Sequence, residues 1–182
     1  MRTTALLLST ALALVALAPQ IAHAKELKQG DMVLSLGGGF SNNSYTLGAQ
    51  FGYFVLPSLM PGVRYYYTHQ KVDVGPLDYS VDQHEPTLFA RYYILTEGTI
   101  FPFVTVDGGF LNYSQKGSAV QEKSFSLWSL FGGIGATVFF SRNFAAELTA
   151  GWRQYLSVPD ELKAADFEER PFEWMLGFGF YL

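Results

Sequence analysis

The twelve residues that end the chain, Pro171-Phe-Glu-Trp-Met-Leu-Gly-Phe-Gly-Phe-Tyr-Leu182, restrict its fold more than any other stretch. Phe172, Trp174, Leu176, Phe178, Phe180 and Leu182 alternate with Glu173, Met175, Gly177, Gly179 and Tyr181. Successive side chains of a strand point to opposite faces, so one face is apolar throughout and the other is small or polar. A strand with so greasy a face needs an apolar medium against it. The same alternation recurs upstream over Asp31–Phe40, Tyr45–Leu56, Gly62–Gln70, His84–Leu95, Phe101–Tyr113, Ser124–Phe139 and Phe144–Tyr155, which predicts eight strands.

Two readings of such a pattern compete: a soluble barrel with a greasy interior, and a membrane barrel with a greasy exterior. The lumen of an eight-stranded barrel is just wide enough to be filled by side chains. The apolar parity carries too many aromatic rings to fit there, whereas the opposite parity is rich in glycine (Gly37, Gly39, Gly48, Gly52, Gly109, Gly133, Gly135, Gly177, Gly179). Charge decides between the two. Arg64, Glu85, Arg91, Asp107, Glu147, Arg153 and Glu173 all fall on the small, polar parity. A Lys or Arg facing the bilayer midplane costs ~2–4 kcal/mol, so the sorting has a physical cause. Tyr53, Tyr65, Tyr92, Trp128, Trp152 and Trp174 lie toward strand ends on the apolar face, where aromatic girdles form. The predicted fold class is all-β: an eight-stranded antiparallel up-and-down transmembrane β-barrel.

Connection lengths agree. Tight turns at Pro57–Pro61, Thr96–Thr99 and Phe140–Asn143 contrast with longer polar loops at Gln70–Gln83, Ser114–Lys123 and Leu156–Arg170, while Ser41–Ser44 is short. An even strand count places both termini on the short-turn side, expected to be periplasmic. The segment from Pro159 to Phe167 has the residues for a helical turn in the last loop.

Residues 1–24 read as a cleaved signal peptide, with Arg2, an apolar run from Ala5 to Leu17 and an Ala22-His23-Ala24 cleavage site. That run is shorter than the ~20 residues of a spanning helix. Residues 25–182 then form the barrel domain. Without Arg2 the chain has 11 basic and 16 acidic side chains, a balance that argues against nucleic acid as a partner. It contains no cysteine, which excludes disulfides, thiolate metal sites and thiol nucleophiles.

The inward charges are the candidate site. An unpartnered buried charge costs several kcal/mol, so they are expected to form two cross-lumen clusters: Arg64 and Arg91 with Glu147, and Arg153 with Glu173 or Glu85, Asp107 lying nearer the middle. Inward Tyr66, Tyr93, Tyr155 and Tyr181 would add hydroxyls, and Phe54, Phe89, Leu111, Phe131 and Met175 would fill volume. The expected result is a plugged lumen. His69 and His84 flank the first long loop and could face each other around a metal, but solvated loop-edge histidines are the simpler reading. Neither glycine run, Gly37–Gly39 or Gly132–Gly135, opens a helix, so no phosphate cradle follows. No residue is assigned as catalytic, and no cofactor or metal is implied.

Signal segment, alternating strands and aromatic terminal strand together resemble the small bacterial outer-membrane barrels of the OmpA, OmpX and OmpW type. The resemblance implies export to the cell outer membrane, contact with lipopolysaccharide and phospholipid, and recognition of the terminal strand by the barrel-assembly machinery. Leu176, Phe178, Phe180 and Leu182 would make up that terminal signal: Phe178 and Phe180 match its pattern, while Leu182 departs from the usual final Phe. No cell-wall-binding domain is expected to follow. OmpX-like members imply a non-enzymatic barrel that supports envelope integrity or contacts partners through loops. OmpW-like members imply a conduit for small hydrophobic molecules, which would need a dry apolar channel opening between strands. Lipid A-modifying members imply an enzyme, but their His-x-Ser pairing is absent: the flanks here are Thr68-His69-Gln70 and Gln83-His84-Glu85.

Overall fold

A computed structural model describes residues 25–40, 44–74, 77–117, 120–156, 158 and 172–182. The signal peptide expected over residues 1–24, the helical turn expected near 159–167 and most of the last loop lie outside the described residues. The strands are β1 (Lys25–Glu26), β2 (Met32–Phe40), β3 (Ser44–Tyr53), β4 (Leu59–Val74), β5 (Leu77–Tyr93), β6 (Glu97–Gly98), β7 (Ile100–Gly117), β8 (Val120–Phe139), β9 (Phe144–Leu156) and β10 (Phe172–Tyr181). Eight close into an antiparallel barrel in the order β10-β2-β3-β4-β5-β7-β8-β9, each next to its neighbour in sequence, with β10 sealing against β2. Closure satisfies the backbone groups that lipid cannot.

The alternation places side chains as its period requires. Leu34, Leu36, Leu47, Leu88, Val106, Leu130, Ile134, Phe178 and Phe180 point outward and are exposed, as are the six girdle aromatics. Outward Val138 departs from the pattern and is buried. Aromatic pairs reinforce one rim, Phe110 on Trp128 and Trp152 on Phe172, with centroids 3.6 and 5.3 Å apart.

Two expected loops are strand instead. The Gln70–Gln83 segment continues the β4–β5 ladder to Val74↔Leu77, and the Ser114–Lys123 segment continues β7–β8 to Gly117↔Val120 past an irregularity at Gln115/Gly117. A bilayer needs only ~9–11 residues per strand. β4, β5, β7 and β8 have 16, 17, 18 and 20, so both hairpins project beyond the aromatic rim.

The small strands β1 and β6 pair with each other outside the barrel wall. The segment from β1 to β2 thereby becomes a strap. It leaves β2 and reaches the β5–β7 turn on the opposite side of the barrel, where the Leu27 N–H donates to the Thr96 carbonyl (2.8 Å). Leu27 is fully buried in the mouth among Val33, Phe54, Met60, Phe101, Phe139 and Tyr181. A second apolar cluster, Val81, Leu111, Tyr113 and Leu127, fills the hairpin end. The charged residues occupy the space between these two apolar tiers.

Candidate functional site: a luminal charge network

Each guanidinium sits on a phenylalanine ring. Arg91 lies 4.0 Å from the Phe103 centroid, Arg64 4.6 Å from Phe89 and Arg153 5.1 Å from Phe131, a geometry that attracts a cation to the π face. The rings in turn lie against glycines. A Cβ built on Gly62 would stand 2.6 Å from the Phe89 ring, and one on Gly133 would stand 2.7 Å from Phe131. Glycine on the inward parity therefore makes recesses for rings, and the rings carry the cations.

Carboxylates complete the arrangement. Arg64 Nη1 bonds Asp107 Oδ2 at 2.7 Å, Arg91 Nη1 lies 3.1 Å from Glu147 Oε1, and Arg153 Nη1 bonds Glu85 Oε1 at 2.7 Å. Arg153 also reaches Asp107 Oδ1 at 3.3 Å and, through Nε, Glu173 at 2.9 Å. Three buried guanidiniums thus face three buried carboxylates, Glu85, Asp107 and Glu147. The fourth, Glu173, retains 26% side-chain exposure. Buried charge is balanced, as a low-dielectric interior demands.

The network is one body, where two clusters were expected. Arg64 pairs with Asp107 and reaches Glu147 only through Gln50, whose Oε1 accepts from Arg64 Nε (3.0 Å) and whose Nε2 donates to Glu147 Oε2 (2.8 Å). Asp107 is shared by Arg64 and Arg153 and joins the halves. Tyr181 Oη donates to Glu147 Oε1 (2.7 Å) and contacts Tyr93 Oη (3.0 Å), which accepts from Arg91. Ser129 Oγ donates to Glu85. Gln50 and Ser129 carry no charge, so the parity argument passed over them. Their inward position was the only available signal.

Outside the barrel, His69 and His84 do not oppose each other. His69 is registered with Asp82, and Nδ1 lies 2.8 Å from Asp82 Oδ1; His84 is registered with Tyr67 and its Nδ1 contacts Tyr65 Oη at 2.6 Å. Among the described residues, no group of three or more His, Cys, Asp or Glu is placed to hold a metal. On the terminal strand, Phe178, Phe180 and Leu182 are exposed on the outer face, while Leu176 is half-buried.

No family model matches the chain, and no curated protein matches it. Solved structures do. The outer membrane protein OprG of Pseudomonas aeruginosa superimposes with a TM-score of 0.65 at 16% identity, covering 86% of this chain and 98% of that one. Ail, the attachment invasion locus protein of Yersinia pestis, solved with the heparin analogue sucrose octasulfate, gives 0.57 at 15% identity over 85% and 99%. A major outer membrane protein of Thermus thermophilus gives 0.55 at 12% identity over 88% and 100%. With its apolar outer belt, aromatic rim and charged interior, the chain has the fold these proteins share: the small, eight-stranded membrane-spanning barrel of bacterial outer membranes.

Proposed function

We propose that the protein is a non-enzymatic outer-membrane barrel with a plugged lumen, which supports the envelope or meets partners through its projecting hairpins. The observation that carries this reading is the connected set of buried ion pairs packed between two apolar tiers. It occupies the mid-height where a channel would need water and a conduit for apolar molecules would need a dry wall. The strap with Leu27 adds a second closure at the end bearing both termini. Outer-leaflet lipopolysaccharide and phospholipid are the partners of the outward belt. Phe178, Phe180 and Leu182 are the strand residues the assembly machinery would read.

One ladder of the projecting hairpins also supports the non-enzymatic reading. Acyl transfer wants an imidazole beside the attacking hydroxyl, with a carboxylate behind. Along the outer ladder the order is His69, Asp82, Ser114, so the carboxylate separates the other two.

Planar-bilayer recording of the purified, refolded chain tests the plug. The expected result is an absence of steady current; a stable, large conductance would contradict it.

A further inference from the structure

A two-residue ladder does not hold a chain segment in place by itself, since even an isolated hairpin is marginal in water. The strap has just such a ladder, Lys25↔Gly98 and Glu26↔Glu97. Its second pair sets like charges opposite each other, which weakens a ladder further. Of strap residues 25–31, Leu27 alone is fully buried. What secures the strap is therefore the pocket that receives Leu27.

That pocket is a product of the whole barrel. Val33 comes from β2, Phe54 from the residue after β3, and Met60 from β4. Tyr93 and Phe101 belong to β5 and β7, while Phe139, Ala145 and Tyr181 close the ring from β8, β9 and β10. Each of the eight barrel strands contributes, so no partial sheet offers the complete pocket.

The other strap contacts repeat this dependence. The Lys25 ammonium lies over rings of β8 and β10, 5.4 Å from Phe139 and 5.2 Å from Tyr181. The strap leaves β2 through a turn in which the Asp31 N–H donates to the Lys28 carbonyl (3.1 Å). Directly after it, Met32 exchanges two backbone hydrogen bonds with Leu182, at 2.9 and 2.8 Å. The strap thus begins at the point where the β10–β2 seam is sealed. Gly30 sets its direction: φ is +95°, a conformation that favours glycine, and a Cβ there would meet nothing within 4 Å.

We infer that the strap is a closure latch. It docks once β10 has sealed against β2, and it takes no part in the sealing. An unsealed barrel leaves Leu27 and its pocket open to water at the terminal mouth; a sealed one hides both. The strap thereby converts a global event, completion of the cylinder, into a local change at one exposed segment. This order is independent of the plug, because it holds whether or not the lumen conducts.

Pulsed hydrogen exchange during refolding tests the order. The chain isolated from outer membranes is unfolded in urea, refolded into phosphatidylcholine vesicles and sampled over time. Closure is read as the change in migration of the unheated barrel on an SDS gel. Protection of the 25–31 peptide is expected no earlier than protection of the 176–182 peptide and the change in migration. Leu27→Ala is expected to close at the unaltered rate, and its 25–31 amides to exchange at least about tenfold faster than those of the unaltered barrel. Gly30→Ala, which strains the turn and leaves the pocket intact, is expected to behave likewise. Strap protection in chains that still migrate as unfolded would overturn the inference. So would failure of either variant to close, which would make the strap part of closure itself.

Discussion

At the residue scale, the three arginines share one construction: a ring stacked under each guanidinium and a carboxylate at its edge. Arg91 is the most enclosed, with Phe103 beneath it and Glu147 and Tyr93 within hydrogen-bond reach. Removing one member of a buried pair leaves an uncompensated charge and costs ~3–5 kcal/mol. Arg91→Met is expected to lose about that much in urea titration of the folded barrel. Adding Glu147→Gln, which removes the charge and keeps one carbonyl acceptor for Tyr181, should recover about 2 kcal/mol of it. A double-mutant cycle with no coupling would show that the pair contributes nothing specific. The parity of these residues was legible in the sequence because lipid forbids the alternative. Their partners were legible only in part: Arg91 meets Glu147, and Arg153 meets Glu85 and Glu173, as expected, but barrel strands are tilted and staggered. That stagger decides whether Arg64 meets Glu147 or, as found, Asp107.

At the element scale, the misread segments are the hairpins beyond the rim. Period-two apolar patterning appears only where one face meets lipid or core. Above the bilayer the outer face meets water and, among the described residues of the Gln70–Gln83 segment, only Val81 and Tyr79 pack into an apolar cluster, so polar residues such as Gln70, Lys71 and Ser114 looked like loop. On this projecting part, outside the bilayer, Asp82 accepts from both His69 and Tyr67 on β4. The His69 hydrogen bond, opposed by partial burial and aided by Tyr67, holds the Asp82 carboxyl below its usual range. A folded-state pKa depressed in this way stabilises the hairpin above the ordinary carboxylate value and is lost as pH falls through the depressed one. Local proteolysis of the β4–β5 hairpin by an acid protease should therefore rise at the lowest pH. In Asp82→Asn the tie is weakened at every pH and that acid step disappears; an unchanged acid step would assign it elsewhere.

For the whole molecule, the question is what holds the strap across the terminal mouth. The strap is a short segment held by one small ladder, one buried side chain and Lys25, whose ammonium lies 5.4 and 5.2 Å from the Phe139 and Tyr181 rings and 3.9 Å from Asp31. Burial pushes the Lys25 pKa down from its usual value, and Asp31 pushes back. An opened strap then binds more protons than a closed one between the lowered value and about 10.5, so closure strengthens as pH rises through that window. Hydrogen exchange at the Leu27 amide, corrected for its intrinsic pH dependence, should show increasing protection there. Lys25→Met, which keeps an apolar stem over the rings, should remove the trend.

On the proposed reading of a plugged lumen, strap and charge network act at different heights, and that redundancy predicts a particular pattern of variants. Deleting residues 25–29 removes Leu27 from the mouth but leaves the ion pairs above it, so the barrel should still carry no steady current. Replacing Arg153 by alanine frees Glu85 and Glu173 to draw in water and leaves Asp107 to Arg64 alone, but it keeps the strap below, and it too should remain closed. Only the combination joins water on both sides, and planar-bilayer recording should then show current that neither change gives alone. Cation preference is expected, because loss of Arg153 leaves four luminal carboxylates against Arg64 and Arg91. Current from the strap deletion alone would mean that the ion pairs are permeable and that Leu27 is the whole seal. A closed, folded double variant would place the barrier instead in the rings of Phe54, Phe101 and Phe139, which stay in the mouth when Leu27 is removed.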